Sequence, residues 1–274
     1  MESALHAAYR GDWPARLWGA APAGVTITRH RMELPPGIGE PCRVAFVSDL
    51  HVGPTTPLPL LETAFDLIRR ERPDVLLLGG DYVFLEAEPH RLAALSALVK
   101  SVECPTKLAV LGNHDLWTYD GAIVKTLVAA GAHVLVNDVA TLPDPWTDVA
   151  VIGLDDPRTG ACDPMAAAEL LNGEAFSMVL CHSPEGLAHL ADMPFDIFLA
   201  GHTHGGQIAA PWGPIVLPPG RLCRRYPSGL RLHDSGMVFV SRGIGAVELP
   251  MRVCAPPDIL LLELHRPGTE ASDA

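Results

Sequence analysis

A chain of 274 residues, 48% of them apolar, holds enough hydrophobic material for a sizeable core, which excludes a disordered protein. Its formal charge of −12 argues against a nucleic-acid backbone as the main partner, since that surface calls for a basic face. No stretch approaches the ~18–20 continuous apolar residues needed to span a bilayer.

Residues 1–24 lack the basic start, apolar middle and small-residue cleavage site of a secretory signal and read as an N-terminal extension. Within it Trp13, Leu17 and Trp18, near Arg10 and Arg16, outline a short amphipathic element. Its aromatics would pack on the flank of the domain or, alternatively, touch a membrane surface. A domain is expected over residues 25–266, followed by a polar, disordered tail at 267–274. Residues 25–34 alternate as a strand and run into a Pro-Pro-Gly turn at 35–37. The β-rich run 43–48 ends on Asp49-Leu50-His51. A helical pattern over 60–70 precedes the aliphatic strand 75–78, which closes on Gly79-Gly80-Asp81. A helix near 90–100 leads to strand 107–111 and then to Gly112-Asn113-His114-Asp115.

The alternation continues with helix 119–130, strands 133–136 and 149–154, and helix 164–171. Strand 177–181 ends on His182, and Ser183-Pro184-Glu185 has the form of a helix start. The apolar run 197–200 precedes Gly201-His202-Thr203-His204-Gly205-Gly206-Gln207. Two histidines two residues apart at a strand's end are expected to face the same way. Beyond them Ile208 and residues 215–217, 237–241 and 259–264 read as short strands between Pro/Gly turns. Continuous apolar strands alternating with amphipathic helices imply a sheet covered on both faces. The helix-poor final third implies a second sheet packed on the first, within one α/β domain. Six cysteines, at 42, 104, 162, 181, 223 and 254, show no C-x-x-C spacing, which favours a reduced, cytosolic chain over a disulfide framework or a zinc ribbon.

Five strands therefore end in polar clusters, and in α/β sheets ligands gather outside the carboxyl ends of strands. Taken singly, Asp81 could be a turn residue or a cap, Asn113 an αL residue and His114 a surface histidine. Repetition at successive strand ends points instead to a shared site. Carboxylate, imidazole and amide oxygen without thiolate suit a borderline divalent ion such as Mn, Fe, Co or Zn; the expected cofactor is a pair of divalent ions, Mn first, with Zn, Fe, Co or Ni as alternatives. The donors are too many for one four-coordinate ion and about right for two, an arrangement that serves phosphoryl chemistry.

In order and spacing, Asp49-Leu50-His51, Gly80-Asp81, Gly112-Asn113-His114-Asp115, His182 and Gly201-His202-Thr203-His204 resemble the signature of calcineurin-like metallophosphoesterases. Ser48 to His51, Gly80-Asp81-Tyr82 and Gly201 to Gln207 are most similar to its bacterial branch of small phosphodiesterases, which includes a cell-wall-associated enzyme and a UDP-diacylglucosamine pyrophosphatase. The resemblance implies a four-layer αββα sandwich of two mixed β-sheets flanked by helices. It implies that Asp49, His51 and His204 hold one metal, that Asn113, His182 and His202 hold another, and that Asp81 bridges them. A metal-bound hydroxide would then attack phosphorus in line, with His114 stabilising the phosphate or protonating the leaving oxygen.

Two departures qualify the resemblance. Many family phosphatases carry a second Asp three residues after the bridging one, where this chain has Phe84. A carboxylate that orients His114 must come from elsewhere, and Asp115 is the local candidate. Members of the branch also often begin with a membrane or export segment, absent from this sequence, so a cytoplasmic location is expected, peripheral at most to the inner face of the membrane. Arg221, Arg224, Arg225 and Arg231 cluster in a Pro/Gly-rich segment; Arg224 and Arg225 are the candidates to bind a second phosphate or an anionic head group, against the alternative of a solvated loop. The expected activity is hydrolysis of a phosphodiester or pyrophosphate bond in a small-molecule or lipid-linked ester, without specific nucleic-acid binding. A phosphomonoesterase or protein phosphatase, and a catalytically silent binding module on the same fold, are the alternatives.

Overall fold

The structure, a computed structural model, describes Tyr9 and residues 13–17, 24–35, 40–118, 120–190 and 193–265. Arg10 and Trp18 of the N-terminal element, residues 36–37 of the Pro-Pro-Gly turn, and the tail at 267–274 lie outside these. A short helix α1 (Trp13–Leu17) precedes β1 (Thr26–Glu33) and β2 (Cys42–Val47). Then follow α2 (Leu58–Glu71), β3 (Val75–Leu78), α3 (Pro89–Ser101), β4 (Thr106–Ala109), α4 (Asn113–Trp117), α5 (Asp120–Ala129) and β5 (His133–Val134). The second half contains β6 (Asp138–Thr141), β7 (Val149–Gly153), α6 (Pro164–Ala168), β8 (Phe176–Leu180) and β9 (Ile197–Ala200). It closes with β10 (Ala209–Ala210), β11 (Gly213–Pro214), α7 (Arg221–Arg225), β12 (Gly229–His233), β13 (Gly236–Val240) and β14 (Asp258–His265).

Two six-stranded sheets form, in the orders β1-β14-β2-β3-β4-β5 and β12-β13-β9-β8-β7-β6. Both are mixed. β2 to β5 run parallel with β14 antiparallel beside β2, while β7, β8, β9 and β13 run parallel between antiparallel β6 and β12. The continuous apolar runs follow from burial on both faces, because successive strand side chains point to opposite sides. On β2, Val44 and Phe46 enter the core between the sheets, while Ala45 and Val47 enter the core under the helices. On β3, Val75 and Leu77 divide from Leu76 and Leu78 in the same way. The sheets meet through side chains such as Phe46 and Phe239, whose rings cross edge to face at 6.3 Å. Helix α2 covers the outer face of the first sheet with Leu61, Ala64, Phe65 and Ile68, one stripe at helical spacing. The outer face of the second sheet packs against α6, α7 and the 3-10 turn Pro184–Ala188. The architecture is α/β with four layers.

Local departures from the sequence reading have local causes. Residues 215–217 form no strand: Ile215, Val216 and Leu217 are exposed in the loop after the β10–β11 hairpin. The helix from Pro164 stops at Ala168, and the one announced by Ser183 is a 3-10 turn whose first N–H groups include Glu185 N bonded to Ser183 Oγ. Edge strands β6 and β12 escaped the pattern reading because half-exposed strands such as Gly-Leu-Arg-Leu-His carry no continuous apolar signal. Tyr9 donates to the carbonyl of Glu248, which ties part of the N-terminal extension to the domain. Among the described residues no helix is long and apolar enough to cross a membrane.

Candidate metal centre

The carboxyl ends of β2, β3, β4, β8 and β9 lie side by side in the two sheets, and the polar residues that follow them converge. The backbone is bent hard to achieve this. Asp49, His51, Asp81, His202 and His204 all have left-handed φ, from 44° to 68°, at a cost of about 1–3 kcal/mol each for non-glycine residues. Strain gathered at one place and held by its surroundings is characteristic of a functional site. The histidine pair is therefore not presented by strand alternation, as its spacing suggested. β9 ends at Ala200, and two left-handed residues separated by Thr203 send the imidazoles to different partners.

Those partners form two groups. Asp49, His51 and His204 offer ligand atoms all within 4.8 Å of one another, and so do Asp81, His182 and His202. In the first group His51 Nε2 lies 3.2 Å from His204 Nε2, and His204 Nε2 lies 3.4 Å from Asp49 Oδ1. Asp81 Oδ2 stands between the groups, 3.5 Å from His51 Nε2 and 3.1 Å from His182 Nε2. Asn113 is buried at the N-terminus of α4, with its Oδ1 unpartnered. Backbone bonds lock the strand ends together: Asp49 N to Gly80 O, His51 N to Asp81 O, and Gly201 N to His182 O. Gly112 and Gly201 are needed for close approach, since a methyl group at either would collide with the Asp81 or Asp49 carboxylate.

The residues fit divalent ions. His51 Nδ1 and Asn113 Oδ1 are buried polar atoms without a hydrogen-bond partner, which is costly unless something else satisfies them. His182 Nδ1 faces the Gly79 carbonyl at 2.8 Å, which directs its Nε2 lone pair inward once that nitrogen carries no proton. Burial holds the imidazoles of His51 and His204 well below their ordinary value and that of His202 at about 3, so all three are neutral, as ligands must be. Burial pushes the Asp49 carboxyl up to about 6, opposed by His182 and reinforced by Asp81. Burial by itself would raise Asp81, but His182 and then His114 hold it well below the usual carboxylate range. Burial would likewise lower His182, yet Asp81 and then Asp49 keep its imidazole well above. In the metal-free protein a proton on His182 thus serves as the cation beside Asp81.

Around this floor opens a cavity of about 380 Å³, whose lining includes His114, Trp117, Arg158, Val216, Leu217 and Leu249. His114 is partly exposed, and its ring meets those of His51, Phe84 and Trp117 at centroid distances of 5.0 to 5.6 Å. Its backbone N–H donates to Asp81 Oδ1 at 2.9 Å. Among the described residues no carboxylate pairs with its ring. Phe84 presents an apolar edge there, and Asp115 is occupied elsewhere. The Asp115 carboxylate accepts from the N–H groups of Asp81, Gly112 and Tyr82 at 2.7, 2.9 and 2.8 Å, tying the ends of β3 and β4.

The family model for calcineurin-like phosphoesterases matches residues 42–206. The chain belongs to that family. It is 31% identical over 246 residues to "Phosphodiesterase YaeI" of Escherichia coli strain K12, covering 89% of each chain. It is likewise 31% identical over 228 residues to the uncharacterized metallophosphoesterase YkuE of Bacillus subtilis strain 168, covering 81% of this chain and 78% of the other. It is 26% identical over 287 residues to the UDP-2,3-diacylglucosamine pyrophosphatase LpxG of Chlamydia trachomatis, covering 82% of this chain and 84% of the other. Of the seven candidate ligands of this phosphoesterase, six fall in the two groups above, and Asn113 lines the same cavity as Asp81, His202 and His204.

Arg224 and Arg225 do not reach it. They lie on α7 outside the cavity lining, and Arg225 stacks on the Tyr226 ring at 5.3 Å. Two other arginines were missed. Arg158, in the loop after β7, reaches the cavity with Nη1 3.2 Å from His202 Nε2. Its only signal was position beyond a sixth strand end. Arg252 is buried behind His204, bonding the carbonyls of Gly245, Ala255 and His204, with Nη2 3.1 Å from His204 Nδ1. Nothing in its sequence surroundings marked it.

Proposed function

We propose that this phosphoesterase uses two divalent ions, manganese foremost, to hydrolyse a phosphodiester or pyrophosphate bond by in-line attack of water. The observation that carries the reading is the pair of ligand groups that meet at Asp81 Oδ2, with buried donor atoms left unpartnered beside it. Asp49, His51 and His204 would hold one ion and Asn113, His182 and His202 the other, with Asp81 between them. Bound there, such ions supply a nucleophile at neutral pH and neutralise charge on the phosphoryl oxygens. The imidazole of His114 stands at the cavity side of His51, where it can bond a phosphoryl oxygen or give a proton to the leaving oxygen. Phe84 and Trp117 pack against its ring.

Phosphodiester or pyrophosphate cleavage is supported by the names of the related proteins from E. coli and C. trachomatis. An ester bearing an apolar or lipid-linked group suits the apolar part of the cavity, including Val216, Leu217 and Leu249. We take residues 25–266 as the catalytic domain, with action in the cytoplasm, peripheral to the membrane when the substrate is lipid-linked. The test is hydrolysis of bis-aryl and mono-aryl phosphates by the protein after chelation and after Mn²⁺ is restored. Loss and recovery of diesterase activity, with the monoester turned over more slowly, is expected. Diesterase activity that survives with the metal stripped overturns the proposal. A two-metal protein that turns over no phosphoester favours a silent binding module, and faster monoester turnover favours a phosphomonoesterase.

A further inference from the structure

Arg158 is the strongest unassigned cation at the site. The loop that carries it is built with care: the buried Asp156 Oδ1 accepts from Arg158 N, Thr159 N and Thr159 Oγ1 at 3.0, 2.9 and 2.7 Å. Asn137 clamps both ends of the loop, accepting from Asp155 N and Asp163 N and donating to Ala161 O. These bonds fix the backbone of residues 155–163, and Arg158 extends from it over His202. Arg158 is exposed and lines the cavity, whereas Asp49, His51, Asp81 and His182 are buried. Among the described residues it makes no ion pair with a carboxylate.

The contact with His202 cannot survive metal binding. A guanidinium only donates hydrogen bonds, and a neutral imidazole has a single lone pair to receive one. If His202 ligates through Nε2, the ion takes the lone pair that faces Arg158. If it ligates through Nδ1, Nε2 carries the proton and accepts nothing. In both cases the guanidinium loses its acceptor while its backbone stays clamped, and a planar cation with several donors is left facing the cavity. Such a fork matches phosphoryl oxygens in pairs.

We propose that Arg158 binds a second phosphoryl group of the substrate, next to the one attacked, and so selects esters with two adjacent phosphoryl groups over esters with one. The proposal rests on the phosphoesterase reading given above. Arg158 is exposed and reaches His202, the least buried member of the two ligand groups, which puts its guanidinium on the solvent side of a phosphorus held against the buried ligands. A simple diester has one negative charge, which two ions and His114 already face. The extra cation is matched by a second negative group.

Calorimetric binding to the metal-loaded protein tests this with AMP, which has one phosphoryl group, and α,β-methylene-ADP, which adds a second through a P–CH₂–P link that resists cleavage. Parent protein is expected to bind the diphosphonate more tightly. Arg158→Ala should weaken that binding by about 10-fold or more, the scale of hydrogen bonds to a charged group, and change AMP binding by less than about 3-fold. Arg158→Lys, which keeps the charge and loses the fork, should fall between. Metal content of each variant is measured in parallel. Equal losses for both ligands, or none for either, overturn the proposal, and so does a drop in metal content, which would make Arg158 a support for His202. Binding can be read whether or not turnover is found, so failure of the catalytic reading remains distinguishable.

Discussion

Replacing Asp115 by Asn tests the frame beneath the metal centre. The carboxylate is fully buried and accepts three backbone N–H groups: Oδ2 takes those of Asp81 and Gly112, and Oδ1 takes that of Tyr82. An amide has one acceptor oxygen. Turned toward the Oδ2 side, it keeps two bonds at neutral strength and sets an NH₂ group against the buried N–H of Tyr82. Burial and then Asp81 raise the Asp115 carboxyl to about 7, so the comparison is made above about pH 8, where it is ionised. Hydrogen bonds to charged groups contribute ~1.5–3 kcal/mol, and a stranded buried donor costs ~1–3 kcal/mol. One bond lost and two weakened give an expected destabilisation of about 2–4 kcal/mol. For a chain of this size that is a fall in Tm of about 5–15 °C. Thermal and urea unfolding should be followed with chelator present in both proteins, so that loss of metal does not contribute. Destabilisation below about 0.5 kcal/mol would refute the tie between the strand ends. If Asp115 instead served to orient His114, the variant would lose turnover at unchanged stability.

Asp81→Ala should abolish binding of both ions, and His202→Ala and His204→Ala should each lose mainly one; elemental analysis after dialysis reads this, and parental two-metal content in either histidine variant refutes the division. His114→Ala should lower kcat by about 10²–10⁴-fold with metal content unchanged, as expected for loss of an acid or phosphate-stabilising group; a loss of less than about 5-fold refutes that role. Metal affinity should rise with pH. Asp81 holds the proton on His182 well above its ordinary range, and an entering ion must displace it, whereas His51, His202 and His204 are already neutral. Competition with a chelator should therefore show about a tenfold gain per pH unit near neutrality, steepening below about pH 6 where Asp49 also takes a proton. A pH-independent affinity would contradict the pairing of Asp81 with His182.

The sheets were legible because their strands are buried on both faces. Val44 to Val47 and Val75 to Leu78 can be nothing but central strands, since each successive side chain enters a different core. The strand-end clusters were legible for the same reason: a sharp change from aliphatic to Asp, Asn and His marks where the chain leaves the sheet. Edge strands such as β12 were hidden by their polar faces, and the exposed residues 215–217 imitated a strand. What the sequence determined by itself was the set of polar residues at the strand ends and the strands that carry them.

The tertiary structure decided how those residues are grouped. Spacing alone sent His202 and His204 to one side, but left-handed backbone at both turns them toward different carboxylates. Asp115 sits beside His114 in sequence, and folding sends its carboxylate to the N–H groups of Gly112 and of Asp81 and Tyr82, the last two more than thirty residues away. Arg158 had no motif, because its place depends on Asp156 and Asn137 holding a loop over a histidine more than forty residues away. Strand patterns are written by burial, which each residue type records locally. Backbone strain and long-range hydrogen bonds are set by neighbours distant in sequence, and only the packed molecule brings those together.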